Sequence, residues 1–131
     1  MANEAILIKE TEIAIPINVD ESVGIEKGTV LKLTANMTGA ASSAADEAFG
    51  GITKIEKIAN DGNTQVASYF GGVFLMVVGG GGATVGFNAV LAGANTVEDL
   101  DTLDIEEGLV IGKFLSTATS GQTVKVFVGK I

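Results

Sequence analysis

The chain has 131 residues, 47% of them hydrophobic, with a net charge of -8 and a sequence pI of about 4.3. That length fits one domain, residues 1–131, able to bury a core without disulfides or metals. It holds no His, Cys or Trp, and its eight basic residues are all Lys. Zinc sites of the Cys/His type, thiol chemistry and imidazole catalysis are therefore excluded, as is the Arg fork that reads guanine or phosphate.

The lysines are scattered and form no basic stripe, which argues against nucleic acid, and the acidic balance disfavours polyanions generally. The opening MANEAILIKETE has a short apolar patch flanked by acids, without the basic n-region of a secretory signal. Next, Ile13, Ile15, Ile17 and Val19 alternate with Glu12, Ala14, Pro16 and Asn18, the period-2 pattern of a strand with one buried face. Pro16 belongs on an edge or where its missing N–H is not needed. A turn at Glu26-Lys27-Gly28 opens a strand with Leu31 and Leu33 on one face and Val30, Lys32 and Thr34 on the other.

Residues 37–51 are rich in small side chains, and Ser43 with Asp46 three positions on predicts one helical turn closed by Gly50 and Gly51. In ITKIEKIANDG, Ile52, Ile55 and Ile58 fit helical spacing, but the β-branched content and Asp61-Gly62 favour a strand and hairpin. QVASYFGGVFLMVV predicts two strands joined at Gly71-Gly72, and VGFNAVLAG another. Thr96 is placed to cap a short helix carrying Glu98 and Asp99 in its first turn. The close, LVIGKFLST and QTVKVFVGKI around Ser120-Gly121, reads as an antiparallel pair with Val124, Val126 and Val128 set against Thr123, Lys125 and Phe127. No repeat of fixed period is legible. The sum is an all-β fold, a compact antiparallel β-barrel or sandwich with one or two short helical turns.

Between Gly71 and Gly86, six apolar residues run into four glycines. A phosphate loop needs a Lys after its last glycine, and the dinucleotide fingerprint fails at Ala83, Thr84 and Val85. The uncharged run from Gly62 to Val97 could span a bilayer, but eight glycines between Phe70 and Ala94 weaken a helix by about 0.8 to 1 kcal/mol each. A buried strand and close-packed turn, in the core or at a subunit seam, account for the stretch with fewer objections. Glu98, Asp99, Asp101, Asp104, Glu106 and Glu107 form the one carboxylate cluster; it lacks EF-hand spacing, which leaves an irregular calcium site or a solvated acidic loop. Ser42, Ser43 and Ser120 have no His as base and are ordinary cap and turn residues. No catalytic, cofactor or metal site is assigned. The chain reads as a binding or structural protein, not an enzyme, and its mean hydropathy of +0.43 predicts apolar surface shared between subunits.

VDESVGIEKGTVLKLT, AFGGI and EEGLVIGKFLSTATSGQTVKVFVG, held here by Val23–Leu33, Ala48–Ile52 and Gly108–Val128, resemble the small capsid decoration (cement) proteins of tailed bacteriophages. The resemblance implies a β-barrel-like homotrimer, made in the host cytoplasm, that binds the major capsid protein on the outer surface of the expanded head and stabilises the shell. It implies no cofactor, nucleic acid or membrane partner. Within that frame, residues 1–17 are an extended arm or an ordinary edge strand, with Ile6, Ile8, Ile13 and Ile15 as capsid-contact candidates. Phe70, Val73, Phe74, Leu75, Val77, Gly80 and Gly81 are the trimer-seam candidates, with a purely intrachain core as the alternative for the same residues. The rival functions are an adhesive or carbohydrate-binding β module on a virion or cell surface, disfavoured by the absence of Trp, and a structural component of the virion tail or baseplate.

Overall fold

The computed structural model describes residues 3–100 and 109–129. Eleven strands follow in order: β1 (Ile6–Lys9), β2 (Ile15–Asn18), β3 (Val30–Ala35), β4 (Thr38–Ala41), β5 (Phe49–Thr53), β6 (Gln65–Tyr69), β7 (Gly72–Val78), β8 (Asn88–Gly93), β9 (Thr96–Asp99), β10 (Gly112–Phe114) and β11 (Thr123–Val128). The all-β expectation holds, but the described residues contain no helix. The segment given a helical turn is instead β4, a tight turn and β5, with Gly50 and Gly51 inside β5. Glu47, not Asp46, organises that turn, because its carboxylate accepts the Ser43 and Ala44 N–H groups at 2.7 and 3.1 Å. Thr96 opens strand β9 rather than a helix, since Val97 is needed in the core and Thr96 pairs with Val77. Predicted helical continuations at residues 101–108 fall outside the described residues.

The strands build two closed barrels of the same topology. The first runs β2-β4-β3-β5-β6; the second runs β7-β9-β8-β10-β11, closed by the β7–β9 pairing, and β1 is added on the outside of β7. In each, the first strand meets the third in parallel (β2–β4, β7–β9) and every other pairing is antiparallel. A constant shift in numbering carries Val30–Ala35 onto Asn88–Gly93 and Thr38–Ala41 onto Thr96–Asp99. The same shift carries Gly28 (φ 80°) onto Gly86 (φ 84°), and Met37 (φ 49°) onto Asn95 (φ 57°). The chain thus contains a structural repeat. It is hidden in the sequence because the equivalent positions share backbone conformation and little else.

Alternation places the cores. In β7, Phe74, Met76 and Val78 are buried while Val73, Leu75 and Val77 face outward; in β11, Val124, Val126 and Val128 point in. Each large side chain removed from water in this way contributes about 1.5–3 kcal/mol. Gly112 lies where a Cβ would come within 1.9 Å of the Phe127 carbonyl oxygen, so no other residue fits between β10 and β11 at that point. The strand predicted from Ile13 to Val19 is shorter than its pattern: Ile17 and Val19 are buried, Ile15 is exposed and Ile13 is 87% exposed. Both Val30 and Leu31 are buried, because one face of β3 fills its own barrel and the other meets the second barrel. Ile55 and Ile58 lie in an exposed loop after β5, where Lys57 and Ile25 make a lone bridge.

The barrels are locked together by buried hydrogen bonds. Asn95, in the β8–β9 turn, accepts the Val30 N–H at 2.8 Å through its side-chain oxygen, and its own N–H donates to Ser42 Oγ at 3.1 Å. The Asp46 N–H donates to the Leu91 carbonyl at 3.0 Å. Around these bonds Val30, Ile52 and Tyr69 of the first barrel share one cluster with Phe74, Met76 and Phe114 of the second. Asn95→Ala leaves the Val30 N–H without its acceptor and puts Ala at a left-handed φ, so the expected loss in urea denaturation is about 2–4 kcal/mol. Asn95→Gly, which keeps the turn, should lose measurably less.

Candidate binding surface

No catalytic constellation forms among the described residues. Ser43 Oγ bonds Lys32 Nζ at 2.9 Å and Glu47 Oε2 at 3.1 Å, Ser42 serves the barrel contact, and Thr84 Oγ1 donates to Asp99 Oδ2 at 2.7 Å. Of the acidic cluster, Glu98 accepts the Gly81 N–H at 3.0 Å and Asp99 accepts the Thr84 N–H at 2.8 Å; both are engaged in closing the glycine turn. Asp101, Asp104, Glu106 and Glu107 lie outside the described residues. Among the described residues no group of three or more carboxylates is placed to hold a metal ion, and no helix is long and apolar enough to cross a membrane.

What the fold does organise is a surface. Residues directly opposite across antiparallel strands point to the same side. Leu75 lies opposite Ile6 on β1 and Lys125 on β11, and Val73 lies opposite Lys9 and Phe127. The outer face of β1–β7–β11 therefore carries Ile6, Val73, Leu75, Val77 and Phe127, with Phe127 37% exposed and Ile6 51% exposed. Three seam candidates, Val73, Leu75 and Val77, and one arm candidate, Ile6, thus come together. Phe74 instead turns into the second barrel, 6.0 Å from the Tyr69 ring, and is 1% exposed. Phe70 packs edge-on against Phe49 at 5.6 Å. Gly80 and Gly81 lie in the turn after β7, where Gly80 faces open space and Gly81 faces the Glu98 carboxylate. Ile8 lies on β1, Ile13 in the β1–β2 connection and Ile15 at the start of β2, and all three are exposed. Phe127 joins the outer face from β11, and its sequence signal is its position out of phase with the three core valines.

Polar contacts hold the connections of the first barrel. The Tyr69 hydroxyl donates to Glu10 Oε2 at 2.8 Å, tying the β1–β2 connection to the first barrel; burial, and then that carboxylate, push the phenol above its usual 10.0. Lys57 is 3% exposed, with its ammonium donating to the carbonyls of Glu21, Val23 and Ile58 at 2.6, 3.1 and 3.1 Å and 3.5 Å from Asp61 Oδ1. Partial burial disfavours the charged form of Glu47. The N–H groups of Ser43 and Ala44, the Lys32 ammonium and the Ser43 hydroxyl outweigh it and hold that carboxyl below its ordinary 4.5.

The fold defines an all-β protein of two tandem five-stranded barrels. No family model and no curated protein sequence matches the chain. The fold is similar to that in the crystal structure of head fiber gp8.5 N base in bacteriophage phi29, with a TM-score of 0.53 and 17% identity over 88% of this chain and 92% of that one. At that identity the likeness is one of fold.

Lys57→Met removes one donor from three carbonyls in a closed loop, and thermal unfolding should show a loss of about 2–3 kcal/mol. Because Glu47 has a lowered pKa in the folded chain, its contribution is present above the unfolded value near 4.5 and is lost as pH falls through the folded value. The urea midpoint should therefore fall more steeply between about pH 5 and pH 3 in the parent chain than in Glu47→Gln.

Proposed function

We propose that this chain is a structural protein of a tailed-phage virion that binds the outside of the expanded head and stabilises the shell as a decoration or cement protein. The observation that carries the proposal is the likeness of nearly the whole tandem-barrel fold to a phage head fiber base. The residues support it: the described side chains form no reactive cluster, and the outer face of β1–β7–β11 offers Ile6, Val73, Leu75, Val77 and Phe127 for a protein partner. In this proposal Val73, Leu75, Val77 and Phe127 form the seam of a homotrimer, and exposed Ile8, Ile13 and Ile15 meet the major capsid protein. Binding only the expanded shell would stabilise it by mass action, and three subunits acting together would multiply weak contacts.

The test mixes the purified chain with heads before and after expansion and counts bound copies after sedimentation. Saturable binding to expanded heads alone is the expected result; equal or absent binding to both forms removes the decoration reading. Leu75→Ser with Phe127→Ser should weaken self-association by at least about tenfold, since truncated apolar anchors at an interface centre commonly cost 2 kcal/mol or more. Analytical ultracentrifugation at micromolar concentration reads that change.

A further inference from the structure

The repeat supplies an internal control for strand addition, because β2 and β7 hold the same place in their barrels. In β7, the Val78 N–H donates to the Gln122 carbonyl at 2.8 Å, so even-numbered residues face β11 and Val77, Leu75 and Val73 face the other side. Val77 there meets β9, while Leu75 and Val73 meet Ile6 and Lys9 of β1. In β2, the Val19 N–H donates to Thr64 at 2.9 Å and the Asn18 N–H donates to Met37 at 2.7 Å. Asn18 thus corresponds to Val77, and Pro16 to Leu75. The backbone edge that receives β1 on the second barrel has its counterpart at Ala14 and Pro16 on the first, and among the described residues no strand pairs with it.

Pro16 has no N–H to give at the position where Leu75 faces Ile6. This matters because β1 is joined to β2 by residues 10–14, a connection of hairpin length, and a hairpin is the nearest partner in sequence. Yet β1 crosses to β7, where the Ala5 N–H also reaches the Gly28 carbonyl at 2.9 Å, so that this segment spans both barrels.

We propose that Pro16 is a strand-selection residue: by closing the free edge of the first barrel it denies β1 a hairpin with β2 and directs it to β7. The backbone, not the side chain, does the selecting. Pro16→Val restores the N–H in a strong strand former, and Pro16→Ala restores it with little added β propensity.

Amide hydrogen exchange on the full-length chain tests this. In Pro16→Val, the amide introduced at position 16 should be protected and the Leu75 amide should exchange at least about tenfold faster than in the parent, independent of protein concentration. Met76, bonded to β11, should be unchanged and so reports that the barrel is intact; if it too loses protection, Pro16→Ala carries the test. An unprotected amide at position 16 with Leu75 unchanged overturns the proposal. So does protection at position 16 that grows with concentration while Leu75 stays protected, since the edge would then be taken by another molecule and not by β1.

Discussion

Everything in this molecule depends on how two small barrels are made into one packed body, and the Asn95 side chain is the centre of that contact. A five-stranded barrel of this size has few interior positions; the first encloses Ile17, Val19, Ile25, Leu31 and Val66. Its remaining apolar surface, at Val30, Ile52 and Tyr69, is buried only because the second barrel covers it. That cover strands the Val30 N–H away from water, and the Asn95 oxygen supplies the missing acceptor. The residue must also hold a left-handed turn, which Asn tolerates better than most side chains. Met37, at the equivalent turn of the first barrel, keeps the conformation but is 54% exposed and has no such task.

From that body the candidate surface follows. Once the barrels are joined, β1 can lie on β7 while its preceding residue bonds the first barrel, and the outer face of β7 becomes the middle of a three-strand strip whose apolar side chains lie beside Lys9 and Lys125. The glycine-rich stretch that dominates the sequence is part of the same construction. Its apolar half is β7, with alternate residues in the core and on the strip, and its glycines make the turn closed by Glu98 and Asp99. The acidic residues nearest the turn are therefore tied to backbone and hydroxyl donors, which is ordinary structural work for carboxylates.

Much of this was legible in the residues. Period-2 alternation located β11, the apolar run Val73–Val78 located β7, the paired glycines marked the break between β6 and β7, and the absence of His and Cys turned attention from chemistry to surfaces. Helical turns were misread where local signals spoke against tertiary ones: Ser43 and Thr96 resemble caps, but Ser43 is held by the Glu47 carboxylate and Val97 is drawn into the core as part of a strand. The repeat was illegible because it is written in φ angles and connection lengths, with Gly28 matching Gly86 but Val30 matching Asn88. Seam candidates chosen as one run were split by the strand pleat, so that Phe74 went inward while its neighbours Val73 and Leu75 went out.

The proposed role of the double barrel is to strengthen a phage shell from outside. The most direct measurement is DNA retention on heating for expanded, DNA-filled heads with and without the saturating protein. Retention to a higher temperature in proportion to occupancy is the predicted result. Identical release curves at full occupancy would contradict a stabilising role even where the protein binds.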